Sequence, residues 1–377
     1  MKRVGIIDDG IGIINGNKCI QWEWNNHKWQ KLNAYNVLSN SHGTNIAEII
    51  KSYNPDVEIY GLKVLNENGW GDMISWLEAM QKATSLDTLI WNLSNGTTEY
   101  SYYEKIKYIV EKTEEIKCIF VAARSNRGIF TVPACLKGVV GVSWDAKLPP
   151  NTLMVNPKIE NDINIRANLE FPIKNLEKKE QIRIDYSSYQ TAAITGILSK
   201  KKIVINNISD KNYFFDTLSE VLQPEKEDDY KLIPWKDEDV IDKNLKIPII
   251  VVKGDEEVIS WCRGLGQYLR EKGSYAVITY DEKGKKTEVI DECLEDTIWE
   301  ERKTDNNSWI EYWKRIWQKH RCDIIVALVK EEVAGWDMCI DMKKNIIKMN
   351  FIGGIKTMKI CEENRFLDYK KIYELFQ

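Results

Sequence analysis

Short apolar runs alternate with amphipathic stretches of helical length through the first two hundred residues of the chain. This alternation is typical of a parallel β-sheet whose strands are joined by crossover helices. The pattern predicts strands at residues 4–8, 57–65, 88–93, 116–122 and 139–143. It predicts helices at residues 44–53, 74–85, 102–112 and 188–200. The predicted fold class is therefore α/β, with a parallel sheet and helices on both of its faces.

The alternation stops after a further predicted helix at residues 213–222. Residues 223–246 contain eight acidic residues and two prolines and show little periodicity, which is typical of a linker. A second alternation follows, with strands predicted at residues 247–252, 275–279 and 323–329 and helices at residues 256–272, 309–320 and 368–376. We therefore expect three parts: a larger domain at residues 1–222, an acidic linker at residues 223–246 and a smaller α/β domain at residues 247–377.

Composition and charge narrow the function classes. The chain has 377 residues, of which 43% are hydrophobic and 29% are charged, as in folded proteins rather than disordered ones. It carries 53 basic and 57 acidic residues, a net charge of −4. A protein without an overall positive field is poorly suited to hold a phosphate backbone, so we expect no nucleic-acid partner.

The cysteines and the N-terminus bear on the compartment. The eight cysteines are spaced singly, without a C-x-x-C pair or a zinc-type spacing, so we expect free thiols and no metal. The chain enters its first strand at residue 4 without the apolar region of a signal peptide, and no apolar run reaches membrane-spanning length. These features predict a cytoplasmic protein with no membrane partner. Three early glycines, Gly10, Gly12 and Gly16, lack the spacing of a dinucleotide-binding loop, so we expect no cofactor.

Polar residues with catalytic chemistry follow or open several predicted elements. Asp8 ends the first strand, Asn126 follows the fourth, and His42 and Ser188 lie at the starts of two helices. Catalytic groups of parallel α/β folds lie at this carboxyl edge of the sheet. Each residue taken singly also suits a structural role, as a turn former, a packing histidine or a helix cap. Their joint occurrence, in the order Asp, His, Ser, favours a nucleophilic triad.

Longer motifs surround these residues. Residues 7–10 read Ile-Asp-Asp-Gly, residues 41–47 read Ser-His-Gly-Thr-Asn-Ile-Ala, and residues 121–126 read Val-Ala-Ala-Arg-Ser-Asn. With these motifs in this order, residues 1–222 resemble the subtilisin-like serine peptidases, whose triad has the same chain order. The resemblance implies a subtilisin-like fold and serine endopeptidase activity.

The resemblance also implies a role for each site residue. Ser188 would be the nucleophile, His42 the general base and Asp8 the group that orients the imidazole, while Asn126 would help to hold the oxyanion. An extended peptide would bind between two segments, one at Asn68, Gly69, Trp70 and Gly71 and the other at Leu93, Ser94, Asn95 and Gly96. Ser125 would narrow the primary pocket, and Arg127 at its mouth would favour an acidic or polar residue before the scissile bond.

The serine motif departs from the family pattern. Other residue types stand where the family has glycine, threonine, alanine and proline, namely Tyr186, Ser187, Gln190 and Ala192. Ser187 and Ser188 are adjacent hydroxyls, and Ser188 is preferred because it puts Thr191 and Gly196 in the family register. This degeneracy leaves open an alternative function, a catalytically weakened subtilisin fold that serves as a peptide-binding scaffold.

The substrate expected from the resemblance is a dedicated peptide. Because the first strand begins at residue 4, we expect no prosegment, as in cytoplasmic relatives that remove leader sequences from ribosomally made, modified peptides. A broad quality-control protease is a less favoured alternative, because the primary pocket is narrowed. Residues 247–377 match no catalytic motif; they would either pack as an ancillary domain or recruit a precursor peptide or a peptide-modifying enzyme.

Overall fold

The structure is a computed structural model, and its chain divides into two compact units. Unit 1 comprises Met1–Thr97 and Tyr103–Asp237, and unit 2 comprises Thr98–Tyr102 and Glu238–Gln377. The residues that the structure describes are 3–14, 16, 19–112, 118–126, 128–156, 163–171, 187–205, 208–225, 230–235, 247–281, 288–289, 313–314, 316–317, 320–330, 333, 335–344, 346–351, 354–359 and 369–375.

Unit 1 is built on one large sheet. Its strands are β1 (Arg3–Asp8), β2 (Ile20–Asn25), β3 (Lys28–Lys31), β4 (Glu58–Lys63), β5 (Ile90–Leu93), β6 (Ile119–Ala123), β7 (Val139–Trp144), β8 (Thr152–Val155), β9 (Ile165–Asn168) and β10 (Lys231–Ile233). The spatial order is β10-β8-β9-β7-β6-β5-β1-β4-β2-β3. All neighbours pair in parallel except β2 with β3 and β8 with β9.

In the described part of unit 1, six helices cover this sheet. They are α1 (His42–Tyr53), α2 (Met73–Ser85), α3 (Tyr103–Lys112), α4 (Ser187–Lys200), α5 (Ile208–Asp216) and α6 (Leu218–Val221). Buried side chains of α1 and α4 join Val4 and Ile6 of β1 in one apolar core. Because side chains alternate along a strand, Gly5 faces the opposite side, where the fully buried Trp91 fills the space that a Cβ would need. Helices α2 and α3 lie on that side.

A hairpin of β2 and β3 forms one end of the sheet. Its turn residues, Asn26 and His27, have φ angles of 49° and 57°. Two successive residues in the left-handed region are characteristic of the type I′ turn, whose twist matches that of antiparallel strands. Since Glu23 of β2 is in register with Lys63 of β4, the hairpin turn extends beyond the carboxyl edge of the parallel strands.

Unit 2 has its own sheet and core. Its strands are β11 (Ile249–Lys253), β12 (Ala276–Asp281), β13 (Glu288–Val289), β14 (Ile324–Val329), β15 (Met338–Asp341), β16 (Ile346–Phe351) and β17 (Gly354–Lys359), in the order β13-β12-β14-β11-β15-β16-β17. The four central strands are parallel and the outer ones antiparallel. Helices α7 (Ile259–Glu271) and α8 (Tyr369–Glu374) contribute to its apolar core.

The α/β class, the parallel sheet with helices on both faces and the smaller C-terminal α/β region are confirmed. The segment predicted as a linker contains β10, which pairs in parallel with β8 through Leu232 and Leu153. The hairpin of β2 and β3 was not predicted, and most of the helix predicted at residues 309–320 lies outside the described residues. In the described part of the chain, no helix is both long and apolar enough to cross a membrane.

Candidate active site

Two consecutive carboxylates end the first strand at the carboxyl edge of the sheet. Asp8 is almost fully buried, with 1% of its surface exposed. Its side chain accepts hydrogen bonds from the backbone N–H of Asp9 at 2.9 Å and from the hydroxyl of Ser94 at the end of β5. These two donors fix the Asp8 carboxylate in one orientation.

The second carboxylate holds the helix that carries the histidine. Asp9 accepts from the backbone N–H groups of His42 at 3.0 Å and Gly43 at 2.7 Å, which are unpaired donors in the first turn of α1. A negative charge at this position is also favoured by the helix dipole. A Cβ on Gly43 would collide with the carbonyl oxygen of Gly10, so only glycine allows α1 to come this close to the end of β1.

Asp8, His42 and Ser188 form a continuous chain of contacts. The Nδ1 atom of His42 lies 3.0 Å from each carboxylate oxygen of Asp8, and its Nε2 atom lies 3.3 Å from Oγ of Ser188. An ionised carboxylate only accepts, so the proton must be on Nδ1, and Nε2 therefore presents a lone pair to the serine hydroxyl. The side chain of His42 is 35% exposed, so solvent and a substrate can reach this pair.

The neighbouring hydroxyl has a different environment. Ser187 is buried, and its Oγ accepts a hydrogen bond from the backbone N–H of Trp144 at 3.2 Å. Ser188 is only half-buried and faces the imidazole. Of the two adjacent serines, the geometry therefore places Ser188 against the base.

The charges of the site are strongly coupled. Burial opposes ionisation of Asp8, but the charge and hydrogen bond of His42, with the hydroxyl of Ser94, lower its pKa below the usual range. Burial likewise opposes protonation of His42, yet the Asp8 carboxylate and, to a smaller degree, Asp9 raise the histidine's pKa. Burial and the charge of Asp8 raise the pKa of Asp9. The ionised form of Asp8 and the protonated form of His42 thus stabilise each other.

A tyrosine ring packs on the imidazole. Tyr189 is buried, and its ring lies 5.5 Å from that of His42 with 29° between the planes. Phe171 meets Tyr189 edge-on at 6.3 Å. This stack on the face of the imidazole limits the orientations that the ring can adopt.

Asn126 lies beside the start of α4. Its Oδ1 accepts from the backbone N–H of Ser187 at 3.0 Å, and the residue is exposed. Since that N–H requires an acceptor, the amide oxygen is fixed and Nδ2 is left to donate elsewhere. The backbone N–H of Ser188, in the first turn of α4, is a second donor in the same region.

The first predicted substrate segment is an exposed turn organised by a residue that was not predicted. The side-chain oxygen of Asn66 accepts from the backbone N–H groups of Asn68 and Trp70, each at 3.0 Å. Gly69 has a φ of 76°, which glycine adopts readily. Asn68 and Gly69 line a cavity of about 380 Å³ that also includes His42. Trp70 is 76% exposed, and Gly71 is exposed beside it.

The second predicted segment is only partly available to a peptide. Leu93 requires a correction: it is fully buried and paired to Ile7 on one side and Ala122 on the other, so no peptide can contact it. The hydroxyl of Ser94 is bonded to Asp8. Gly96 is exposed.

Asn95 connects the second segment to its surroundings. It donates to the carbonyl of Ile7 at 2.9 Å and accepts from Nε1 of Trp76 at 2.6 Å. Both groups of its side-chain amide therefore make contacts within the protein, which fix the orientation of the side chain.

Two further predicted residues flank the oxyanion region. Ser125 is half-buried, and its backbone N–H donates to the hydroxyl of Thr131 at 3.0 Å. Arg127 lies outside the described residues. Gln190, one of the departures from the family motif, uses its amide to bind both the N–H and the carbonyl of Leu169. That substitution therefore serves the packing of α4 and leaves the contact between His42 and Ser188 intact.

Sequence reasoning missed Asp9, Tyr189 and Asn66. Asp9 follows directly after Asp8, but its partners His42 and Gly43 are 33 and 34 residues further along the chain, so no local signal assigns it to α1. Asn66 precedes a glycine-containing turn, which is a usual place for a side chain that caps backbone N–H groups. Nothing local marks Tyr189, because its contact with His42 joins residues far apart in the chain.

A parallel α/β sheet with an Asp–His–Ser chain at its carboxyl edge, in this chain order, defines a protein of the subtilisin-like serine-peptidase class. The model of the subtilase family of peptidases matches residues 3–204, more than half of the chain. The chain belongs to the subtilase family.

Individual relatives are distant and match part of the chain. Subtilisin DY of Bacillus licheniformis is 28% identical over 142 residues, which cover 33% of this chain and 47% of that protein. The minor extracellular protease Epr of Bacillus subtilis (strain 168) is 35% identical over 117 residues, covering 28% of this chain and 18% of Epr. The chain thus spans less than half the length of these curated relatives.

Among solved structures, the chain is similar to the nisin leader peptidase NisP from Lactococcus lactis. The identity is 16% and the TM-score 0.39, with 56% of this chain and 81% of that chain covered. This likeness adds nothing to the family assignment.

Metal ligands are not grouped in the described part of the chain. No set of three His, Cys, Asp or Glu side chains there is placed to hold an ion. No disulfide joins the described cysteines to one another, namely Cys19, Cys118, Cys135, Cys262, Cys322 and Cys339.

Proposed function

We propose that the protein is a serine endopeptidase that cleaves a specific precursor peptide. The observation that carries the proposal is the chain of contacts from buried Asp8 through His42 to Ser188. A serine hydroxyl is a weak nucleophile at neutral pH and needs an adjacent base, which here is the Nε2 lone pair.

In the proposed first step, Oγ of Ser188 attacks the carbonyl carbon of the scissile bond while its proton passes to Nε2 of His42. The imidazolium formed is stabilised by the ionised Asp8. His42 then delivers the proton to the leaving amine as the C–N bond breaks. A water molecule then attacks the acyl carbonyl and gives a proton to Nε2 of His42, which passes it to Oγ of Ser188 as the ester C–O bond breaks and the acid product leaves.

The oxyanion of the tetrahedral intermediate would be held by Nδ2 of Asn126 and the backbone N–H of Ser188. The bond from Ser187 N–H to Oδ1 of Asn126 orients the amide for this role. Removing such a side-chain donor lowers kcat by about 10²–10³, a magnitude that was measured on subtilisin.

The substrate would bind extended, with its backbone along the turn at Asn68–Gly71 and the exposed edge near Gly96. A precursor peptide from which a leader is removed is the finer proposal. It rests on the resemblance of the sequence to leader-processing members and on the expected narrowing of the primary pocket by Ser125. A dedicated substrate of this kind also suits the proposed cytoplasmic location, where general proteolysis would be harmful.

Residues 247–377 would serve substrate capture. If this unit binds the precursor, or binds an enzyme that modifies the precursor, it raises the local concentration of the cleavage site. Deleting these residues should lower the rate of precursor cleavage and leave the reactivity of Ser188 unchanged; equal cleavage by the shortened chain contradicts the recruiting role.

Incubation with casein and with a mixture of proteome-derived peptides, analysed by mass spectrometry, tests the proposed activity. We expect a few cuts with shared sequence features, all absent in Ser188→Ala. General digestion of casein would favour a broad protease instead. Cuts that persist in Ser188→Ala would contradict the assigned nucleophile.

The second candidate function is a peptide-binding scaffold without turnover. The departures around Ser188 favour it, since Tyr186, Ser187 and Gln190 replace the usual residues of the serine motif. A scaffold would bind precursor peptides equally well with and without the Ser188 hydroxyl and would release no fragments.

A further inference from the structure

A second cavity lies beside the turn at Asn66–Gly71. It measures about 460 Å³ and is bounded by Trp24 of the β2–β3 hairpin, by Trp70 of the turn and by Asp72 at the start of α2. The same turn lines the cavity that includes His42. A peptide that binds along the turn from the site would therefore have this cavity within reach of a side chain.

Two indole rings form the aromatic part of the cavity. Trp24 is half-buried and is supported by Trp29, whose ring lies 5.2 Å away. Trp70 projects into solvent with 76% of its surface exposed. The exposed ring costs free energy in the absence of a ligand, and a ligand group that stacks on it would recover part of that cost.

The charged groups around the cavity are mostly acidic. Three charged residues line it, namely Glu23, Lys63 and Asp72. Glu23 pairs with Lys63 at 3.1 Å, so these two charges offset each other and the carboxylate of Asp72 gives the group a net charge of −1. Asp72 accepts the backbone N–H of Ser75 at 2.9 Å, and this bond lowers its pKa, so the carboxylate remains ionised at neutral pH.

The hairpin already binds a cation on its indole faces. Nζ of Lys82 lies 5.4 Å from the ring centre of Trp22 and 5.5 Å from that of Trp29. Both distances are within the range of attraction between an ammonium group and an aromatic ring. Two of the hairpin's tryptophans, Trp22 and Trp29, thus already have an ammonium group over their rings.

We propose that this cavity is a subsite for a lysine or arginine side chain of the peptide substrate, held between the indoles of Trp24 and Trp70 and the carboxylate of Asp72. The proposal rests on the proposed function, because it assigns a specificity determinant to the same peptide cleft. An acidic side chain would be repelled by Asp72. An apolar side chain would displace water from the carboxylates of Asp72 and Glu23 and would not replace the hydrogen bonds that this water makes.

The test uses the full-length protein with Ser188→Ala, so that bound peptides are not cut. The probe is a library of displayed random ten-residue peptides, selected on this protein and sequenced. The affinity of one enriched peptide is then compared with that of its analogue in which the basic residue is replaced by methionine. The comparison is repeated after adding Trp70→Ala, and after adding Ile74→Ala as a control, because Ile74 is 61% exposed and outside the cavity.

We expect enriched peptides to share a lysine or arginine at a fixed position, and the choice between the two identifies the preferred cation. The basic peptide should bind about three- to tenfold more tightly than its methionine analogue. The ratio should fall below about twofold with Trp70→Ala and persist with Ile74→Ala. Absence of enriched peptides, enrichment without a basic residue, or a ratio that Trp70→Ala leaves unchanged overturns the proposal.

Failure of the subsite and failure of the catalytic proposal are distinguishable. Reaction of the native chain with a fluorophosphonate reports on Ser188 without any peptide. A labelled serine with no basic preference overturns the subsite alone, while a basic preference without labelling contradicts the catalytic proposal alone.

Discussion

Asp8 and Asp9 act on the same histidine in different ways. Asp8 contacts the imidazole, and Asp9 binds the backbone N–H groups of His42 and Gly43. One pair of adjacent residues thus sets both the tautomer of the base and the position of the helix that carries it. Both charges also raise the pKa of His42.

The pH dependence of serine reactivity follows from this arrangement. His42 must be neutral to accept a proton, and its pKa is raised above the ordinary value of 6.5. The reaction rate of Ser188 should therefore be highest at alkaline pH. It should fall as the pH is lowered and reach half of its highest value at a pH above 6.5. Asp9→Asn removes one of the charges that favour the imidazolium, so the midpoint should move to lower pH.

The rate of fluorophosphonate labelling is measured for the native chain, for Asp9→Asn and for a control, Asp87→Asn. The pH runs from about 5 to about 9, a range that includes the ordinary pKa of histidine, about 6.5. Asp87 is exposed and pairs with Arg3, away from His42. Asp9→Asn should also lose about 1 kcal/mol of stability, because it weakens the cap of α1. An unchanged midpoint in Asp9→Asn would show that Asp9 does not act on the base.

At the scale of elements, two packed helices set the distance between base and nucleophile. His42 opens α1 and Ser188 opens α4, and the helices share the core on one face of the sheet. Gly196 lies at their contact, where a Cβ would be 2.8 Å from Cβ of Tyr53 and 2.9 Å from the carbonyl oxygen of Ile50. The close approach of the helices therefore requires glycine here.

Gly196→Ala should force α1 and α4 apart. We expect a loss of about 1–3 kcal/mol in the free energy of unfolding, as for other overpacked cores, and slower labelling, because the 3.3 Å contact of His42 with Ser188 would lengthen. Chemical denaturation and labelling rates measure the two effects. Lys200→Ala, on the exposed end of α4, should change stability by less than about 0.5 kcal/mol. Equal behaviour of the two variants would contradict the role of Gly196.

The strands and helices also show which features of the protein could be predicted from the sequence. The buried strands and the amphipathic helices carry a strong period, and the strand-end rule brought Asp8, His42 and Ser188 together. The side-chain partners were less accessible: Ser94 was assigned to the substrate but bonds Asp8, and Leu93 is enclosed by β1 and β6. Such contacts depend on which face of a neighbouring strand a side chain meets, and the motif does not contain that information.

The hairpin shows a different reason for a missed element. Residues 20–25 alternate between apolar and polar types, which is a strand pattern, but no strand was predicted there. Its turn uses Asn26 and His27 in place of the Asn-Gly pair that usually marks a type I′ turn.

At the scale of the whole molecule, the described residues of each unit include an apolar core within that unit. The core of unit 1 includes Ile46 of α1, and the core of unit 2 includes Leu265 of α7. Both side chains are fully buried. Each unit is therefore expected to depend on its own core for stability, while serine reactivity depends on unit 1.

Matched truncations test this division. Ile46→Ala and Leu265→Ala should each cost about 2–5 kcal/mol in the unit that carries the change. Differential scanning calorimetry should show each substitution lowering a different transition, and only Ile46→Ala should slow fluorophosphonate labelling at 25 °C. Loss of labelling in Leu265→Ala, at a temperature where unit 1 is folded, would contradict the independence of the site from unit 2.

Covalent labelling by a fluorophosphonate probe is the sharpest test of the proposed nucleophile, because it reports an activated serine without knowledge of the substrate. Ser187→Ala is the matched control, since it removes the adjacent hydroxyl, which is bonded to Trp144 and not to the base. If Ser188 is the activated nucleophile, the native chain and Ser187→Ala are labelled and Ser188→Ala is not. Absence of labelling in the folded native chain, or labelling that survives Ser188→Ala, would contradict it.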